Sequence, residues 1–299
     1  MQIHLDHLTL ETRLLGDPVT TPAIILIQGL GTPMTRWPEL LLDFLHEAGF
    51  AVVLFDNRDI GLSTALDALG RPDLTRLSKA NPFVLPFSSA LPPYTLADMA
   101  NDVISLMDAL HIREAHIVGA SMGGMIAQII AACHPARCLS LTSIMSSSGN
   151  PLLPPPTPAA LQALFAPLPF PQTEEAIVAD SVRRQKILMS PRYPTPDSEL
   201  SAMFTAEFRR AFRPLGVARQ LAALMTGGDR RRMLADVRAP AVVLHGTDDP
   251  LILPACGRDT AYSIPAAELR LVPGMAHDFP VALVPVFAEA ILGAIRRAL

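Results

Sequence analysis

Apolar residues fall along the chain in short runs, broken by polar, glycine- or proline-containing segments, and the runs follow two periods. Leu8, Leu10, Thr12 and Leu14 alternate with other residues, which predicts a solvent-touching strand. Ala23-Ile-Ile-Leu-Ile27 is uninterrupted and stops at Gln28-Gly29, the pattern of a strand buried on both faces of a parallel sheet. Between residues 36 and 48, Trp37, Leu40, Leu41, Phe44 and Leu45 keep helical spacing up to Gly49. Ala51-Val-Val-Leu-Phe55 predicts a second buried strand, entering the polar loop Asp56-Asn-Arg-Asp-Ile-Gly-Leu-Ser63. After a looser, proline-containing stretch to Pro93, Thr95 reads as the N-cap of a helix with Leu96, Met99, Val103, Leu106 and Leu110 on one stripe. Ala115–Val118 predicts a strand, Met122–Cys133 a helix stopped by Pro135, and Leu139–Met145 a further strand.

This alternation is the signature of a doubly wound, mostly parallel α/β sheet. It breaks at Gly149, where Asn150-Pro-Leu-Leu-Pro-Pro-Pro-Thr-Pro158 forms a stiff linker. Residues up to Asp236 read as helices separated by prolines. The rhythm resumes after Pro240 with a strand at Ala241–Leu244, a helix near Pro254–Ser263, a strand at Glu268–Val272 and a closing helix from Val284 to Leu299. The expected organisation is therefore an α/β core of residues 1–149 and 237–299 with an inserted helical cap at 150–236. No internal repeat is present.

Composition narrows the function classes. Half of the 299 residues are hydrophobic and 17% are charged, enough for a large core and too apolar for disorder. The net charge of −4 lacks the clustered basic surplus of a nucleic-acid binder. Residues 151–236 hold 11 Lys/Arg against 8 Asp/Glu. That surplus suggests a basic mouth over a site or, with more weight, a solvated helix face. No membrane span and no signal peptide is expected, which makes the cytoplasm the default location. Cys133, Cys138 and Cys256 suggest small buried residues in a reducing compartment rather than disulfides or a zinc site. The sequence carries no signal for an oligomeric state.

The chemistry concentrates in Gly119-Ala-Ser121-Met-Gly123, between a predicted strand and a predicted helix. A serine hydroxyl attacks well only when held beside a base. A sharp strand-to-helix turn would lift its oxygen above the sheet, and side chains at either glycine would clash in such a turn. A base and an acid should then follow in the order serine, acid, histidine. Of the histidines beyond the expected cap, His245 lies inside a strand end, whereas His277 lies in the loop after the last strand. His277 is therefore the candidate general base. His245-Gly-Thr-Asp-Asp-Pro250 offers two adjacent candidates for the acid, Asp248 and Asp249. The backbone N–H groups of Met122, at a helix start, and of Leu30, in Gln28-Gly-Leu-Gly31, are the candidate oxyanion donors. Met34, Trp37, Phe83, Phe87, Met145, Phe165, Phe170 and Phe204 are candidates for an apolar substrate pocket.

Taken in order, the Gln28-Gly-Leu-Gly loop, the Asp56–Ser63 loop, Gly119-Ala-Ser-Met-Gly-Gly124, Gly246-Thr-Asp-Asp-Pro250 and Pro273-Gly-Met-Ala-His277 resemble the α/β-hydrolase-fold serine hydrolases. The chain is most similar to the branch containing aclacinomycin methylesterase and small carboxylesterases; the resemblance spans the core and is weak in the cap. It implies that the acid lies three residues after the glycine, at Asp249. Two departures stand out: Gln28-Gly29 where the family commonly has His-Gly, and Asp59 where it usually has glycine. Arg58 and Asp56 are expected to organise their loop.

The resemblance implies a carboxylic-ester hydrolase working through an acyl-enzyme, with a small-molecule ester and water as substrates. It implies no metal and no cofactor. Perhydrolase, thioesterase, C–C hydrolase and acyltransferase chemistries use the same residues, and a hydrolase-like small-molecule receptor is the alternative outside catalysis. Serine rather than aspartate at the elbow argues against dehalogenase and epoxide hydrolase chemistry.

Overall fold

The computed structural model describes residues 1–79 and 91–298. Eight strands form one sheet: β1 (Gln2–His4), β2 (Thr9–Leu15), β3 (Ala23–Ile27), β4 (Ala51–Phe55), β5 (Ala115–Ala120), β6 (Cys138–Ile144), β7 (Ala241–Gly246) and β8 (Glu268–Val272). Their spatial order is β1-β2-β4-β3-β5-β6-β7-β8. β1 and β2 pair antiparallel, as do β2 and β4; the strands from β4 to β8 run parallel.

The apolar pentapeptides form central strands because both of their faces are covered. On β3, Ile25 and Ile27 enter one core cluster while Ile24 and Leu26 enter the other, and on β4 Val53 and Phe55 are separated likewise from Val52 and Leu54. The helices follow in order: α1 (Glu39–Glu47), α2 (Leu74–Lys79), α3 (Leu96–Ala109) and α4 (Met122–Cys133). One cluster packs the sheet against α3 and α4. The other packs it against α1 and the C-terminal helix, described below.

Thr95 caps α3 in a full capping box with Asp98. The predicted helix at 36–48 is shorter than expected. Pro38, with ψ 126°, occupies its N-cap, so the helix proper starts at Glu39 and a separate 3₁₀ turn covers Met34–Arg36. β1 and α2 had no sequence signal, being short and poorly patterned. Cys138 and Cys256 are buried as expected, but Cys133, the last residue of α4, is exposed.

Five helices lie between β6 and β7: α5 (Pro158–Phe165), α6 (Glu174–Leu188), α7 (Asp197–Arg210), α8 (Pro214–Met225) and α9 (Arg231–Leu234). Several arginines of this segment are not on a solvated face. Arg219 is fully buried and forks onto Asp59 at 2.8 and 2.7 Å. Arg230 is 3% exposed and donates to the carbonyls of Ser147, Gly227 and Gly228. Glu207 of α7 takes the two-pronged bond of Arg36 at 2.6 and 2.7 Å. Arg219 and Arg230 thus tie the segment to the core, while Arg183, Lys186, Arg192, Arg209 and Arg232 lie on its solvated faces. The chain ends with α10 (Pro254–Ser263) and α11 (Val284–Arg296). Among the described residues, no helix is long and apolar enough to cross a membrane.

The chain runs from β3 to β4 on one side, then returns across β3 to β5 on the other. The loops after β3 and β5 therefore diverge, opening a crevice at the carboxyl edge, where sites form in open α/β sheets.

Candidate active site

Ser121 joins β5 to α4 with φ 55° and ψ −120°, a conformation rarely adopted by a side-chain-bearing residue and costing about 1–3 kcal/mol. Its N–H donates to Ile144 O at 2.9 Å, and its carbonyl accepts from Ser146 Oγ at 2.7 Å. The turn closes only because its flanks are bare. A Cβ on Gly119 would lie 2.0 Å from Gly123 O, and one on Gly123 would lie 2.1 Å from Ile27 O.

Three residues that the sequence places after separate strands come together here. His277 Nε2 is 3.0 Å from Ser121 Oγ, and His277 Nδ1 is 2.8 Å from Asp249 Oδ2. Asp249 Oδ1 accepts from the N–H groups of Leu251 and Ile252, both at 2.9 Å. Burial pushes this carboxyl upward, but His277 and the hydrogen bonds of His245 and His277 outweigh it and hold Asp249 below the usual carboxylate range. Asp248, the adjacent candidate, is exposed and bonded to its neighbour Thr247.

The loop after β3 lies against the serine: a Cβ on Gly29 would come within 3.1 Å of Ser121 Cβ. Gly29 N–H donates to Gln28 Oε1 at 3.2 Å, Gly31 N–H to Gln220 Oε1 at 2.9 Å, and Thr32 N–H to Gly29 O at 3.3 Å. Between them, Leu30 N–H has no acceptor among the described residues, and neither has Met122 N–H at the head of α4. Both N–H groups are thus spare donors, one in the loop after β3 and one at the head of α4 next to Ser121.

Three supporting residues, Gln220, Ser190 and Asp278, are not singled out from sequence, and a fourth, His245, is weighed there only as a base. Gln220, on α8 and fully buried, accepts from Gly31 N–H and donates to Arg58 O at 2.9 Å. His245, fully buried on β7, donates from Nε2 to Ile252 O at 2.7 Å and lies 3.5 Å from Asp249 Oδ2. Ser190 and Asp278 bond each other beside His277. Only Asp278 carried a signal, its adjacency to His277. Asp56 and Arg58 organise the Asp56–Ser63 loop partly by tying it to its neighbours: Asp56 accepts from the N–H groups of Leu62 within the loop and Met34 outside it, and Arg58 forks onto Asp102 of α3. Asp59, with φ 71°, replaces the expected glycine and gains Arg219, Tyr94 and Leu66 N–H as partners.

The apolar pocket candidates occupy several different environments. Met34, Trp37 and Met145 are buried in the core, with Trp37 4.8 Å from Phe279. Phe165 and Phe170 face outward, and Phe204 is stacked under Arg36 at 4.8 Å. Phe83 and Phe87 fall outside the described residues.

Residues 22–281 match the family model described as the alpha/beta hydrolase fold, so the chain belongs to that family and is an enzyme of the hydrolase class. It is 27% identical to rhodomycin D methylesterase DauP of Streptomyces sp. (strain C5), over 98% of this chain and 97% of that relative. Among solved structures it resembles the enol-lactonase of Burkholderia xenovorans LB400, with a TM-score of 0.72 at 21% identity, covering 99% of this chain and all of that one. It also resembles the meta-cleavage product hydrolase CumD of Pseudomonas fluorescens IP01, with a TM-score of 0.76 at 16% identity, covering 100% of this chain and 98% of that one.

Proposed function

We propose that the protein is a serine carboxylic-ester hydrolase that works through an acyl-enzyme. The observation that carries this is the unbroken hydrogen-bonded line from Asp249 Oδ2 through His277 to Ser121 Oγ, at the carboxyl edge of the sheet. Ser121 Oγ attacks the ester carbonyl as His277 Nε2 takes its proton. The oxyanion that forms is held by Leu30 N–H and Met122 N–H. His277 then returns the proton to the leaving alcohol, which departs and leaves an ester on Ser121. Water attacks that ester while His277 takes its proton, and the acid is released with Ser121 restored. Asp249 keeps the proton of the resting imidazole on Nδ1 and stabilises the imidazolium.

We further propose that residues 150–236 form a cap over a core of 1–149 and 237–299, and that the substrate is a methyl ester or another small carboxylic ester. Supporting the ester is the similarity to a methylesterase across nearly the whole chain. Three cysteines without a disulfide support a cytoplasmic location. Turnover of methyl and p-nitrophenyl esters, acyl-thioesters and ring-fission diketones should be compared side by side. Esters are expected to have the highest kcat/KM; if they prove the poorest substrates, the assignment to ester chemistry is wrong.

A further inference from the structure

The loop that carries His277 is anchored in two halves. The first half belongs to the core: Gly274 N–H donates to Thr247 Oγ1 at 3.0 Å, Met275 N–H to Val272 O at 3.3 Å, and Met275 O accepts from Asp248 N–H at 3.0 Å. The second half, which includes the histidine, is gripped from the C-terminal end of α6 and the turn that follows it. Ala276 N–H donates to Ser190 Oγ at 2.8 Å, and His277 N–H donates to Leu188 O at 2.9 Å. Asp278 Oδ1 accepts from Ser190 N–H at 3.0 Å and from Ser190 Oγ–H. Ser190 is fully buried, and its hydroxyl accepts from one side of His277 while donating to the other. Nothing else among the described residues takes the backbone N–H of Ala276 or His277.

We propose that Ser190 and Asp278 are positioning residues that seat the His277 imidazole between Ser121 and Asp249, a role that rests on His277 being the catalytic base. The helical segment between β6 and β7 then does more than cover the site. It supplies the backbone seat of the base, so the base is aligned only while residues 188–190 are docked. Asp278 pairs with Ser190 rather than with the imidazole, which leaves Asp249 as the carboxylate on Nδ1.

Ester turnover should be measured for Ser190→Ala, Asp278→Ala, the double variant and Asp278→Asn, with rates normalised to Ser121 titrated by a fluorophosphonate. A misplacement of the base by about 1 Å lowers kcat on the order of 100-fold, so each alanine variant is expected to lose about 10- to 100-fold in kcat with KM within about threefold. The double variant should be no worse than the poorer single, because both changes open one clasp. Asp278→Asn keeps the accepting oxygen and should recover most of the loss seen in Asp278→Ala. The low-field NMR signal of the His277 Nδ1 proton should weaken or move in the alanine variants. If kcat per titrated serine stays within about twofold in both alanine variants and that signal is unchanged, the residues are merely structural and the inference fails. Ser121→Ala separates the two levels: if it stays active, the serine-hydrolase proposal itself falls, whereas a dead Ser121→Ala beside fully active Ser190→Ala removes only the clasp.

Discussion

Replacing Asp249 by asparagine tests how the site controls the tautomer of its histidine. Asp249 Oδ1 is fixed by two backbone donors, Leu251 and Ile252 N–H, each at 2.9 Å, while Oδ2 faces His277 Nδ1 at 2.8 Å. An asparagine keeps its oxygen toward the two N–H groups, since turning the amide round would set donors against donors. Its NH₂ group then meets Nδ1, which must become an acceptor. The imidazole proton moves to Nε2 and points at Ser121 Oγ, 3.0 Å away, so in the proposed mechanism His277 can no longer take the serine proton. Losing the correct tautomer in a triad of this kind costs about 10⁴-fold in kcat, or about 5 kcal/mol at about 1.36 kcal/mol per tenfold. The assay is p-nitrophenyl butyrate hydrolysis by wild type, Asp249→Asn and Asp248→Asn. Asp248 is exposed and bonds Thr247, so its variant should stay within about twofold of wild type. An active Asp249→Asn, or a collapse at Asp248→Asn instead, would refute the reasoning about the tautomer.

Three further outcomes follow from other parts of the molecule. Gln220→Leu leaves Gly31 N–H and Arg58 O without their partner and loosens the loop that carries Leu30 N–H, the proposed oxyanion donor, so kcat should fall about tenfold or more with KM nearly unchanged; unchanged kcat would separate α8 from that proposed role. Arg219→Met leaves the buried Asp59 carboxylate without its cation and should cost about 3–5 kcal/mol in urea unfolding; a loss below about 1 kcal/mol would contradict this. Burial pushes His116 down to about 4, so the folded state prefers the neutral ring. Its contribution is complete above the ordinary value of about 6.5 and drains away as the pH falls towards 4, on the order of 2–3 kcal/mol between pH 7 and 4.5. His116→Gln should flatten that part of the stability profile, and an identical pH slope in both proteins would rule His116 out as its source.

The parts of the fold that were legible in the sequence are those set by local pattern. Ala23–Ile27 and Ala51–Phe55 announce buried strands because every position is apolar, and Ser121 announces a tight turn because glycines sit two residues to either side. What was hidden depends on partners far along the chain. Arg219 and Gln220 look like the polar face of a helix, and only the packing of α8 on the loops after β3 and β4 shows that both are buried. Ser190 is an ordinary residue in sequence; its partners lie 86 and 88 positions away. Spacing alone leaves Asp248 and Asp249 open and only the family resemblance points to Asp249; in three dimensions Asp249 meets His277 Nδ1 while Asp248 is exposed.

The most direct test of the acyl-enzyme proposal is intact-protein mass spectrometry after a brief reaction with p-nitrophenyl butyrate, for wild type and Ser121→Ala, with the modified peptide sequenced. The mechanism predicts one butyryl group on Ser121 in the wild type, formed in a burst with p-nitrophenol, and neither adduct nor turnover in Ser121→Ala. Sustained ester hydrolysis by folded Ser121→Ala, or an acyl group found on any other residue, would contradict it.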